Sequence, residues 1–135
     1  MRRSLRILAA VALGATLACQ LDDHLGPDPT KGPGALQLRL TTPNGDDGAL
    51  LLSISGGPID SITSPQLEIA ALEMARGEFR VLIRGPIRGG AVARLWVPDR
   101  GDRSAYVFTV VEAVGRTSYA RRDVGEYTAT VGLDQ

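Results

Sequence analysis

The chain has very little of what reactive or cross-linked proteins rely on. Its 135 residues include one cysteine, Cys19, one histidine, His24, and one lysine, Lys31. A lone cysteine cannot form an internal disulfide. With one histidine and no second cysteine, a histidine/cysteine metal centre has no ligand set. Aromatic residues make up 4% of the chain, too few for the row of coplanar rings that carbohydrate-binding modules usually display. No apolar run reaches the roughly 20 residues that a membrane-spanning helix needs. The formal net charge is zero, and no clustered basic patch argues for nucleic acid.

What is present begins with the first nineteen residues. Arg2, Arg3 and Arg6 form a positive segment, followed by the apolar run Ile7 to Ala18. A short apolar run behind a positive start matches a secretory signal. It ends in Thr16-Leu17-Ala18-Cys19, small residues leading to the only cysteine. This leader resembles that of a bacterial lipoprotein precursor, in which a small residue directly precedes a cysteine that becomes lipid-modified. The resemblance implies a signal peptide over residues 1–18 and a mature chain that starts at acylated Cys19. Two or more acyl chains hold stably at a membrane, at about 0.8 kcal/mol per buried methylene. By the same resemblance, Gln20 in place of an aspartate implies the outer rather than the inner membrane. Plain secretion, with a free thiol at Cys19, is the alternative. Removing the leader takes three of fifteen basic residues and leaves twelve against fifteen acidic ones, a mildly negative product.

Residues 19–34 are rich in Gly, Pro and Asp and carry no apolar period, so they read as the lipidated cysteine and a tether. Extended, the tether would reach about 45 Å. His24 lies within it, without partners for a metal.

From residue 35 the pattern has period two. Leu36, Leu38 and Leu40 alternate with polar neighbours, and Ala49 to Ser55 follow a dense turn at Pro43 to Gly48. Further strands are expected at Ile59 to Thr63, Phe79 to Ile83, Ala91 to Val97, Tyr106 to Val110 and Tyr127 to Val131. Gln66 to Met74 fits either period and reads better as strand, because its neighbours are strands. Gly85-Pro86 is expected to end the strand before it. Seven or eight short strands over residues 35–135 predict an all-β fold, a single antiparallel β-sandwich of immunoglobulin-like or cohesin-like type. Asp123-Val124-Gly125-Glu126-Tyr127 resembles the tyrosine corner of immunoglobulin-type sandwiches. That resemblance implies a Tyr127 hydroxyl bonded back to backbone.

Enzymatic chemistry is not expected. A serine–histidine relay needs a histidine in the folded module, and there is none. Glycosidase chemistry needs two carboxylates held at a defined separation, and nothing pairs Asp46, Asp47, Glu68, Glu73 or Glu78. Asn44, Asp46 and Asp47 carry calcium-type oxygen ligands, yet their spacing fits a plain turn, so neither a metal nor a cofactor is expected. Arg100-Gly101-Asp102 likewise reads as a β-turn.

One surface stands out. A hairpin across Gly85 to Gly90 would place residue 83 opposite 93 and 81 opposite 95. Arg80 would then lie across from Trp96, and Arg84 and Arg94 would share its outer face. Trp and Arg are enriched at binding hot spots, so Arg80, Arg84, Arg94 and Trp96 form the expected contact surface for an envelope protein or an anionic glycan. The sequence thus predicts a lipid-anchored, non-catalytic binding or structural module, with a carbohydrate-binding module as the alternative and a carboxylate hydrolase as the remote one.

Overall fold

A computed structural model describes Gly26 and residues 28–135. The leader, Cys19 and His24 lie outside the described residues. Eight strands form two four-stranded sheets, and every pairing is antiparallel. One sheet contains β3 (Ser61–Thr63), β6 (Gly90–Val97), β1 (Gly34–Thr41) and β8 (Thr128–Leu133), in that order. The other contains β4 (Glu68–Ala75), β5 (Glu78–Ile87), β2 (Asp47–Ser55) and β7 (Val107–Gly115). The expected all-β sandwich is therefore the observed fold.

Alternation explains the packing. Leu36, Leu38 and Leu40 of β1 and Leu50, Leu52 and Ile54 of β2 are buried, as are Val81 and Ile83 of β5 and Leu95 and Val97 of β6. Successive side chains point to opposite faces of a strand, so each sheet turns one apolar row toward the other. Each fully buried Leu, Ile or Val contributes about 1.5–3 kcal/mol relative to exposure. Most of Gln66 to Met74 is strand, within β4, as its neighbours suggested. It is an edge strand, and Leu72 and Met74 remain more than half exposed on it.

Three details depart from the period-two reading. The strand at Phe79 runs through Gly85-Pro86 to Ile87, which is fully buried. The irregularity opposite Asp47 and Ala49 absorbs these two residues. A bulge in β6 turns Ala91 outward and buries Val92 beside Ala93, because an extra residue shifts the alternation by one. Arg100-Gly101-Asp102 opens a 3-10 helix, Arg100–Ala105, rather than a β-turn, with Asp99 as its N-cap.

The connections decide the topology. Among the described residues, β4 and β5 are the one pair of consecutive strands that hydrogen-bond to each other. Every other link carries the chain from one sheet to the other. The expected hairpin between the strands of Val81 and Leu95 is thus absent: β5 and β6 belong to different sheets. Ile87 plugs the core at the end of β5, and only residues 88 and 89 separate it from β6.

Candidate functional site

The four residues expected to form one surface lie on opposite outer faces. Arg80 pairs across to Leu72 and Ser53, and Arg84 to Glu68 and Ala49, on the β4-side sheet. Arg94 and Trp96 project from the other sheet, where Trp96 lies between Ala35 and Ser61. Stacked sheets sit about 10 Å apart, so Arg80 cannot cover the Trp96 indole. Arg84 is held by Glu68, and Arg94 Nε by Asp134 at 2.9 Å. The expected surface is corrected on this point.

The polar groups converge instead at one end of the sandwich, through residues that sequence patterning treated as turn or core. Asp47 opens β2 and is fully buried. Its Oδ2 accepts from the Thr42 hydroxyl at 2.6 Å, and its Oδ1 from the Tyr127 hydroxyl at 2.8 Å. Asn44 Nδ2 donates to the same Tyr127 oxygen at 2.8 Å. Burial pushes the Tyr127 hydroxyl above its ordinary pKa, and the bond and charge of Asp47 add to the rise against the opposing Thr42 and Asn44 bonds. A buried carboxylate survives only when it is paired and hydrogen-bonded. Arg122 supplies the charge, with Nε 3.8 Å from Asp47 and Nη2 2.7 Å from Asp46 Oδ1. The expected tyrosine corner is thus corrected: Tyr127 bonds to side chains rather than backbone. A tyrosine-to-backbone bond occurs at the opposite end, where Tyr106 donates to the Pro58 carbonyl at 2.6 Å.

This network fixes the loops above it. Arg116 N–H donates to the Asp46 carbonyl at 2.7 Å, and Arg122 N–H to the Ala113 carbonyl at 2.8 Å. Gly48 is required here, since a Cβ would lie 2.7 Å from the Arg116 Cα. Between the loops are two adjoining hollows. One, of about 220 Å³, is lined by Gly45, Asp46, Asp47, Pro86, Arg88, Arg116 and Thr117. The other, of about 290 Å³, shares Pro86 and Arg116 and adds apolar walls from Ala49 and Val114 and the ring of Tyr119. Tyr119 is 81% exposed and adopts a positive φ of 54°. The arginines at this end of the sandwich, within and outside the cleft lining, differ in state. Arg84, Arg121 and Arg122 are paired with Glu68, Glu112 and Asp46, whereas Arg88 and Arg116 make no ion pair among the described residues.

The chain enters the sandwich at the other end. Gly34 pairs with Val97 there, and Asp99 Oδ1 accepts from the N–H groups of Gly32 at 2.9 Å and Gly101 at 2.8 Å. Those two bonds, Gly101 first, hold the Asp99 carboxyl below the usual carboxylate range. Arg100 adds a backbone bond to the Gly32 carbonyl at 2.9 Å and a side-chain bond to the Lys31 carbonyl at 3.0 Å. Residues 31–33, read from sequence as tether, are therefore fastened to the module.

Among the described residues, no group of three or more His, Cys, Asp or Glu side chains is placed to hold a metal ion. No protein-family model, curated protein or solved structure matches the chain.

Proposed function

We propose that the chain is a lipid-anchored envelope protein whose β-sandwich binds a ligand rather than catalysing a reaction. The observation that carries this reading is the separation of its two ends. The segment leading back to Cys19 is clamped at the Asp99–Arg100 end, and the cleft between Arg88, Arg116 and Tyr119 opens at the other. A module acylated at Cys19, at the outer membrane, would carry its binding loops away from the bilayer. From Cys19 to Asp28 the chain spans at most about 30 Å, so the clamped end would stay close to the surface.

The carboxylates nearest the cleft support binding over hydrolysis. Asp46 is engaged by Arg122, and Asp47 is buried beneath Thr42 and Tyr127. Neither is free to act as the separated acid and base that glycoside hydrolysis requires.

Metabolic labelling with a palmitate analogue and mass spectrometry of the mature N-terminus test the anchor. Acylated Cys19 at the new N-terminus is the expected result, with label lost in Cys19→Ser. An exported product with an unmodified thiol would reduce the proposal to a secreted module.

A further inference from the structure

The cleft at the loop end holds positive charge that its own acids do not neutralise. Asp46 and the buried Asp47 share Arg122, so with Arg88 and Arg116 three guanidinium groups stand against two carboxylates. Arg88 and Arg116 both line the smaller hollow with Thr117, and Arg116 and Pro86 continue into the larger one beside Tyr119, Val114 and Ala49. One half of the cleft is thus a polar pocket with two guanidinium groups that make no ion pair among the described residues, and the other a mostly apolar shelf, bordered by the Glu68-paired Arg84, with an exposed aromatic residue. We propose that this cleft binds a single sugar unit bearing one carboxylate or phosphate, its anion between Arg88 and Arg116 and its ring against Pro86 and Tyr119. The inference rests on reading the chain as a binding module and names what that module takes.

Three physical points support the assignment. The guanidinium fork matches carboxylate and phosphate oxygens in a bidentate fashion, and such charge-assisted bonds are about twice as strong as neutral ones. The two hollows, at about 220 and 290 Å³, together lie in the lower half of the range of roughly 300–1,000 Å³ usual for small-molecule sites, which suits one sugar unit rather than a long chain. The loops are already braced by the buried Asp47–Tyr127 bond and the Arg116–Asp46 backbone bond. Little ordering is left to oppose binding.

The test uses the chain from Gln20 to Gln135, which retains every residue of the described fold, in amide-resolved NMR titrations. The probes are glucuronate, glucose 6-phosphate and neutral glucose. Saturable shifts are expected at Gly45, Gly48, Gly85 and Gly115 with an anionic probe, and affinity for glucose should be at least tenfold weaker. Arg88→Ala and Arg116→Ala should each weaken the anion at least tenfold, while Arg121→Ala, outside the cleft and paired with Glu112, leaves it unchanged. A response to glucuronate alone identifies a uronate polysaccharide as the source. A response to the phosphate alone identifies a phosphorylated glycan, and a response to both supports charge recognition common to the two. No saturable shift, equal affinity for glucose, or unchanged binding in both arginine variants overturns the proposal. Acylated Cys19 without the anion response rejects the cleft chemistry and leaves the anchored module; the reverse rejects the anchor alone.

Discussion

The Tyr127 hydroxyl donates a 2.8 Å hydrogen bond to the carboxylate of Asp47, eighty residues earlier in the chain. That bond joins the approach to β8 in one sheet with the first residue of β2 in the other, beneath the loops that form the cleft. Removing Tyr127 Oη should cost about 1–2 kcal/mol. Asp47→Ala should cost about 3 kcal/mol or more, because it strands the Tyr127 and Thr42 donors and leaves Arg122 without its buried counter-charge. Urea denaturation of Tyr127→Phe, Asp47→Asn and the double variant measures the coupling. The double variant should be milder than the sum by more than about 0.5 kcal/mol; simple additivity would show that the two act independently.

Stability should fall in alkali. Burial raises both Tyr106 and Tyr127 above the ordinary tyrosine value of 10.0. A folded-state pKa above the unfolded one means that the unfolded chain gives up its proton first. The associated stability is complete below the unfolded value and is lost as pH climbs through the folded one. Melting temperature followed from about pH 8 to about pH 12 should therefore drop from roughly pH 10 upward. Tyr127→Phe should remove part of that slope. A flat profile across the range would contradict the burial of both hydroxyls.

Gly56 follows the last residue of β2 with φ of +113°, and a Cβ there would collide with the Ala105 carbonyl. Gly56→Ala combines backbone strain with a clash against main chain that cannot rotate away. It should destabilise by about 1–3 kcal/mol, seen as a lower denaturation midpoint at unchanged slope. Gly26→Ala serves as the control, because nothing lies within 4 Å of its added Cβ.

The Asp99 carboxylate should govern how firmly residues 31–33 are held. In Asp99→Ala the Gly32 and Gly101 amides lose their acceptor, and hydrogen exchange at both should accelerate while the β1 amides stay protected. Acid should act in the same direction. Because the folded-state pKa is depressed, the clamp is present above the ordinary carboxylate value and is lost as pH falls through the lowered one. Exchange at Gly32 that ignores both the variant and acid would show that the segment is held by something else.

Much of the fold was legible in the chain because its signal is local. Leu36-Gln37-Leu38-Arg39-Leu40 can bury one face only as a strand, and the same holds for Leu50 to Ile54 and Val81 to Ile83. The tendency of β4 to follow its neighbours was equally readable. Gly85-Pro86 misled for a physical reason: a bulge tolerates the same two residues as a strand end. At β6 an inserted residue shifted the alternation, and nothing in the local pattern marks where such an insertion falls.

The cleft was much less legible. Period two says which side chains share a face of one strand, but not which strand lies beside it. Arg80 and Trp96 look adjacent if consecutive strands form hairpins, whereas in this chain nearly every connection crosses between the sheets. Asp47 resembled a solvated turn acid. Its burial depends on Tyr127 and Arg122, both more than seventy residues away, arriving to satisfy it. The sequence alone determined the alternation and hence the sandwich, since these rest on contacts between near neighbours and on burial of a patterned face. Strand order, the pairing of charges and the two cleft arginines without an ion pair among the described residues were decided by tertiary structure alone, because each is a relation between segments that chain distance does not encode.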